Sequence, residues 1–319
     1  AEPVGAWAEE AAQPGAGRGG QPAAHQGCGG APAGDGAVRV VSLGAWCGVK
    51  TAMRNLGLDG PSLPFDWMRS SMDSLLRCLR NDFDGFLAWE RVQESPYTEH
   101  ATPHGRIYIA WGHSFWHDDL EELEDRAKFR RRIERFRELG RGPGRLLFVR
   151  SVNSTLELRR AEELLSLLAA RFGSSKVRLL VLVDAQHGSR CLLFRELPAL
   201  VVCTVDLAGP VTGQRYAAKY HEAITTALEY ARTAELPQGC ELLPAPSSLL
   251  AGASIRHVCL GEDLTVPWCH DPTPPPPALM RCGAEDPLDA ELLEAQLQEH
   301  LAFSAAGGGG AGGAPRFPT

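Results

Sequence analysis

Cys47 is the side chain whose place in the chain carries the most chemistry. It stands in Ser42-Leu43-Gly44-Ala45-Trp46-Cys47-Gly48, between a β-branched run and a helical pattern. A helix start offers unpaired N–H groups and a partial positive charge, and both favour thiolate over thiol. Such a cysteine can attack a carbonyl, and the same N–H groups can hold the oxyanion that forms. The plain alternative is a small apolar residue packed at a helix start. A thiolate nucleophile in acyl transfer needs a base, and His100, His104, His113 and His117 share one neighbourhood. His117 is the best placed, at a strand-to-helix junction directly before Asp118. Such junctions line the ligand crevice of an open α/β sheet, so Cys47 and His117 are expected on one edge. The other histidines read as surface or capping residues. Asp66, Asp118 and Asn153 are the candidates for an orienting partner. Asp118 can equally cap the next helix, and Asp66, in the stiff segment Pro64 to Trp67, can brace the first. Trp46, Trp67 and Asn153 are the candidate substrate contacts.

The elements that must position these groups alternate along the chain. Val38 to Leu43 reads as a strand that ends at Gly44, followed by a helix with Val49, Ala52, Met53 and Leu56 on one face and Gly57 as its stop. A second helix spans about 71 to 80. Residues 106 to 111 read as a second strand, leading into a long charged helix that starts at Asp119. Six acids between Asp118 and Asp125 precede seven bases between Arg126 and Arg137, an order that suits the helix dipole and gives i, i+4 pairs on a solvated face. Strands at 146 to 149, 177 to 183 and 201 to 205 alternate with helices at 158 to 172 and 216 to 232. The predicted fold is α/β, a mainly parallel sheet with helices on both faces.

Composition bounds the rest. The 319 residues carry a net charge of −7 and are 44% hydrophobic, enough for a sizeable core. An acidic chain without interleaved aromatic platforms predicts no nucleic-acid partner. The longest apolar runs fall short of the roughly 20 residues that span a bilayer, so no membrane partner is predicted either. Gly, Ala and Pro fill 25 of the first 37 positions, which predicts disorder over 1–37. A single domain is expected over 38–270, a Pro-rich linker over 271–288, an amphipathic helix over 289–303 and a disordered tail over 304–319. The start shows neither a basic segment nor an apolar stretch of a signal peptide, which points to the cytoplasm. Nine scattered cysteines read as free thiols. His257, Cys259, Cys269, His270 and Cys282 lack the short paired gaps of a zinc site, so no metal and no cofactor is predicted.

The pattern Val-Ser-Leu-Gly-x-x-Cys at 41 to 47, then Leu56-Gly57-Leu58, Ser62-x-Pro64-Phe65-Asp66-Trp67 and Asn81-Asp82-Phe83, resembles the putative papain-like cysteine peptidase family, a group of uncharacterised proteins. The likeness continues through His117-Asp118, residues 128 to 136 and Leu147 to Arg150, over roughly 38 to 185. It implies Cys47 as nucleophile, His117 as base, an Asp as partner, and a peptide or acyl substrate. It also implies a papain-like α+β fold as the alternative architecture. The motif departs from papain relatives proper: Trp46 precedes the cysteine, and no Gln stands just upstream as an oxyanion donor. The reading is a cysteine-dependent hydrolase or acyl transferase. Its rivals are a nucleotide- or sugar-dependent transferase using Gly44 to Gly48 as an anion-binding turn, and a non-catalytic binding module with Trp46 and the Pro64 to Trp67 segment in its groove.

Overall fold

The computed structural model describes residues 37–95, 103–206 and 213–251, together with 255, 256, 258 and 264. The predicted tails, linker and C-terminal helix, His100 and all five zinc candidates lie outside these residues. In chain order the elements are β1 (Val38–Ser42), α1 (Gly48–Asn55), β2 (Met68–Ser70), α2 (Met72–Arg80), β3 (Trp89–Glu94), β4 (Arg106–Ala110), β5 (His113–Phe115) and α3 (Leu123–Arg137). They continue with β6 (Arg145–Ser151), α4 (Ala161–Phe172), β7 (Val177–Gln186), β8 (Arg190–Phe194), β9 (Leu200–Asp206), α5 (Gly213–Thr233), β10 (Glu241–Leu243) and α6 (Ser248–Ala251).

Among the described residues the strands form two sheets. The larger has the order β1-β6-β7-β9-β8-β10. Its first four strands are parallel, β8 runs antiparallel to β9, and β10 runs parallel to β8. Parallel strands covered on both faces must be apolar on both sides. The runs Leu146–Val149, Leu179–Val183 and Leu200–Cys203 are accordingly buried throughout. Val40, Leu147, Val149, Leu180 and Val201 pack against α1 and α5, whose Val49, Ala52, Tyr220 and Ile224 share that core. Val41, Phe148, Leu179, Val181 and Val202 face the opposite way, toward Leu164, Leu168 and Phe172 of α4. Helices therefore cover both faces, as the sequence predicts. The papain-like alternative fits poorly, because its main sheet is antiparallel.

The smaller sheet, β2-β5-β4-β3, is antiparallel and corrects the expected place of residues 106 to 111. Ala110 pairs with His113 across the two residues Trp111 and Gly112, and Gly112 takes a left-handed φ of +70°. That tight turn sends the chain back as a hairpin instead of into a helix. The helix predicted from Asp119 begins at Leu123. Asp119 Oδ1 accepts the Glu121 N–H at 3.0 Å, and the Asp119 N–H donates to Asp125 Oδ2 at 2.7 Å. An aspartate bonding the backbone two residues on competes with the helix, so the acidic run forms a turn.

Candidate active site

The segment from Ser42 to Gly48 leaves β1 and enters α1 through two left-handed residues, Gly44 at φ +69° and Ala45 at φ +82°. A β-carbon on Gly44 would stand 2.6 Å from the Phe65 carbonyl oxygen, so both φ and space demand glycine. Ala45 holds a conformation that L-residues avoid, and such strain persists only where surrounding contacts fix it. Those contacts are present on three successive carbonyls. Leu43 O accepts from Arg150 Nη1 at 3.0 Å, Gly44 O from the Ser151 N–H at 3.2 Å, and Ala45 O from the Ser70 N–H at 3.1 Å. The turn thus joins the C-terminal end of β6 to β2 of the other sheet. Cys47 follows as the N-cap residue of α1, half-buried, with φ −66°, ψ −17° and no side-chain capping hydrogen bond. Its carbonyl accepts from the Thr51 N–H and hydroxyl, which starts the helix.

Behind the turn lies a buried polar chain. Trp46 Nε1 donates to the Tyr220 hydroxyl at 3.2 Å, and that hydroxyl donates to Asp184 Oδ2 at 2.5 Å. Ser151 Oγ donates to the same carboxylate oxygen at 3.1 Å. Asp184 is fully buried at the end of β7, and burial pushes its carboxyl up to about 7. Its Oδ1 has no hydrogen-bond partner among the described residues. A second clamp closes on Ser70, whose carbonyl accepts from Arg150 Nη2 at 2.7 Å and from Asn153 Nδ2 at 2.8 Å. Glu157 supports it by accepting from the Asn153 N–H and, through Oε1, from Asn153 Nδ2. Gly48 sits beneath the Trp46 indole, where a β-carbon would lie 2.1 Å from the ring. Gly48→Ala is therefore expected to displace the indole, to break its bond to Tyr220 and to cost about 1–3 kcal/mol, read by urea titration and by a change in tryptophan emission.

His117 follows β5 of the smaller sheet, not a strand of the parallel one, which corrects the shared edge expected from the sequence. The route back to α1 runs through β2. Met68 at the start of β2 pairs with Phe115 at the end of β5, so Asp66 lies two residues before this pair and His117 two residues after it. Lys50, in the first turn of α1, reaches Asp66 Oδ2 at 3.2 Å. Asp66 is buried, accepts the Leu63 N–H at 2.8 Å, and burial raises its carboxyl above the usual range against the pull of Lys50. Asp118 is buried between Lys128 and Arg132, the latter at 3.6 Å. Arg132 feels both carboxylates, so Asp66, Asp118, Lys50, Lys128 and Arg132 form one charged cluster between the start of α1 and α3.

The structure brings Cys47, Trp46 and Asn153 to the turn at the end of β1 and β6, and Asp66 and Asp118 to the charged cluster. Trp46 is a core residue, its ring edge-on to Tyr220 at 6.3 Å between centroids. Trp67 is half-buried, bonds Ser62 Oγ and carries the Arg54 guanidinium 4.8 Å over its ring. His113 is a satisfied core histidine, bonded to Ser74 Oγ and the Phe86 carbonyl oxygen and stacked on Phe86. His104 accepts the Arg106 N–H at 3.3 Å.

The sequence reading missed Ser70, Arg150, Ser151, Asp184 and Tyr220. Arg150 and Asp184 did leave a signal, a charge at the C-terminal end of an otherwise apolar strand. Residues later in the chain bond to the end of β7, to Thr155 and to β5. The Gln186 amide bonds the Arg256 backbone twice, the Thr155 N–H donates to Val258 O, and Ser114 Oγ donates to Leu264 O at 2.6 Å. Beside β1, a groove of about 550 Å³ bordered by Ser42, Lys50, Leu63 and Asp66 opens to solvent. Among the described helices none is long and apolar enough to cross a membrane.

Residues 38–186 match the model of a family described as putative papain-like cysteine peptidase. An uncharacterized protein of Acanthamoeba polyphaga mimivirus, R408, is 27% identical over 160 residues, covering 42% of this chain and 72% of the viral one. No solved structure matches.

Proposed function

We propose, taking the family match over residues 38–186 as premise, that the chain is a cysteine-dependent hydrolase or acyl transferase with Cys47 as nucleophile and His117 as base. The observation that carries the reading is the placement of Cys47: a half-buried N-cap residue at the end of a strained, pinned turn. The helix start supplies partial positive charge both for the thiolate and for the oxyanion. In the proposed cycle His117 takes the thiol proton as Sγ bonds to the carbonyl carbon, then returns it to the leaving group as the acyl–heteroatom bond breaks. Water or a second nucleophile next cleaves the thioester, giving hydrolysis or transfer. Asp118, tied to Lys128 and Arg132, would hold the segment behind His117, and Asp66 would hold the start of α1 through Lys50. Asn153 and Trp67 remain the proposed substrate contacts, with Trp46 as the wall behind the turn. The substrate is a peptide or another acyl compound.

Other cysteines give built-in controls. Burial pushes the Cys78 thiol up to about 11, and Cys240 is pushed up to about 12. With iodoacetamide at varied pH and peptide mass spectrometry, Cys47 is expected to label first, with an apparent pKa below the ordinary 8.5 or so. His117→Ala is expected to slow that labelling, and Cys47→Ser to abolish turnover of any acyl substrate found. Labelling of Cys47 no faster than Cys78 or Cys240 would overturn the reading.

A further inference from the structure

Three cysteines far from Cys47 in sequence stand side by side on adjacent strands of the larger sheet. Cys191 on β8 lies directly opposite Cys203 on β9. On the other flank Glu241 of β10 pairs with Leu192, so Cys240, one residue before β10, lies level with Cys191. All three belong to the face packed against α1 and α5. The Cys191 thiol is close enough to both neighbours for each to influence its ionisation. Neighbouring strands are about 4.8 Å apart, and a disulfide spans Cα separations of roughly 4.4–6.8 Å, so either neighbour is in range.

Surroundings separate the two. Cys203 is buried and sits on a strand bonded on both sides, by β7 and β8. Cys191 and Cys240 are both half-buried, hence reachable by a small oxidant. Cys240 stands in the turn entering the short edge strand β10, its N–H donating to Pro237 O at 3.2 Å, and can adjust to the dihedral angle a disulfide requires.

We propose that Cys191 and Cys240 are a reversible thiol-oxidation site that closes to a disulfide under peroxide. One thiolate attacks hydrogen peroxide, forming an S–O bond and releasing hydroxide, which takes up the thiol's proton as water. The second sulfur then attacks the sulfenic acid, the S–S bond forms, and a second water leaves. Two thiols are oxidised as one peroxide is reduced to two waters. Cys203 and then burial push the Cys191 thiol up against a smaller opposite pull from Cys240, while burial, then Cys191 and Glu229 of α5 push up that of Cys240. The reaction is therefore slow at neutral pH and faster in base. Closure ties β10 to β8, and the site is independent of any role for Cys47.

The test is exposure of the folded full chain to hydrogen peroxide, followed by non-reducing peptide mapping. The expected product is a Cys191–Cys240 linked peptide lighter by two hydrogens, restored to thiols by dithiothreitol, with an upward shift in Tm of the oxidised protein. In Cys240→Ser the expected product is a Cys191 sulfenic acid trapped by dimedone. A Cys191–Cys203 link, or both residues still as thiols while the other cysteines oxidise, would overturn the assignment.

Discussion

Lys50→Met is expected to lower the stability of the protein by about 3–5 kcal/mol at neutral pH, the usual cost of leaving one partner of a buried ion pair alone. Lys50 and Asp66 are 4% and 1% exposed, and their contact at 3.2 Å braces the first turn of α1 against the Leu63 to Trp67 segment. Removing the ammonium leaves the carboxylate with the Leu63 N–H and the more distant Arg132. Because burial already raises Asp66, the lone carboxyl will take up a proton more readily in the variant, so the penalty is expected to shrink as pH falls. Urea titrations of the wild type and variant at pH 7 and pH 5 read both effects. Lys50→Met/Asp66→Asn removes the stranded charge and should recover a large part of the loss. A penalty under about 1 kcal/mol at pH 7, the range of an exposed pair, would show that the contact braces nothing.

Asp184 makes an opposite prediction. Burial raises its carboxyl from 3.8 to about 7. A carboxyl whose folded pKa lies above its unfolded value contributes stability that is fully present below 3.8 and is lost as pH rises through about 7. The difference between those limits is about 4 kcal/mol at 1.36 kcal/mol per pH unit. Asp184→Asn keeps the acceptor for Tyr220 and Ser151 and cannot ionise. The variant is therefore expected to match the wild type near pH 4 and to exceed it by several kcal/mol at pH 8. Taking the difference between the two proteins at each pH cancels the other titrating groups. A constant difference between pH 4 and pH 8 would mean that Asp184 ionises near its ordinary value. The same titration bears on the active-site proposal, because Tyr220 links this carboxyl to Trp46, the residue before Cys47.

The amino-acid sequence by itself determined the local elements and their order. Apolar runs such as Leu179–Val183 can be satisfied only by burial on both faces, and the helical spacing of Leu158, Ala161, Leu165, Leu168 and Phe172 specifies the layer that covers one of them. The strand, the Gly44 turn and the helix that place Cys47 at a helix start are likewise legible, since each rests on residues within ten positions. What only the tertiary structure decided is which strands pair and which charges meet. Residues 106 to 110 read as one more strand of the parallel sheet, yet the two-residue turn at Trp111 and Gly112 folds them into a separate antiparallel sheet and carries His117 with them. A strand's pattern states that one or both faces are buried but names no neighbour. The same holds for Arg150, whose partners Leu43 and Ser70 lie 107 and 80 residues away, and for Asp184, which meets Tyr220 36 residues on. A buried charge in the sequence announces that a partner must exist, and only the packing of distant segments supplies it.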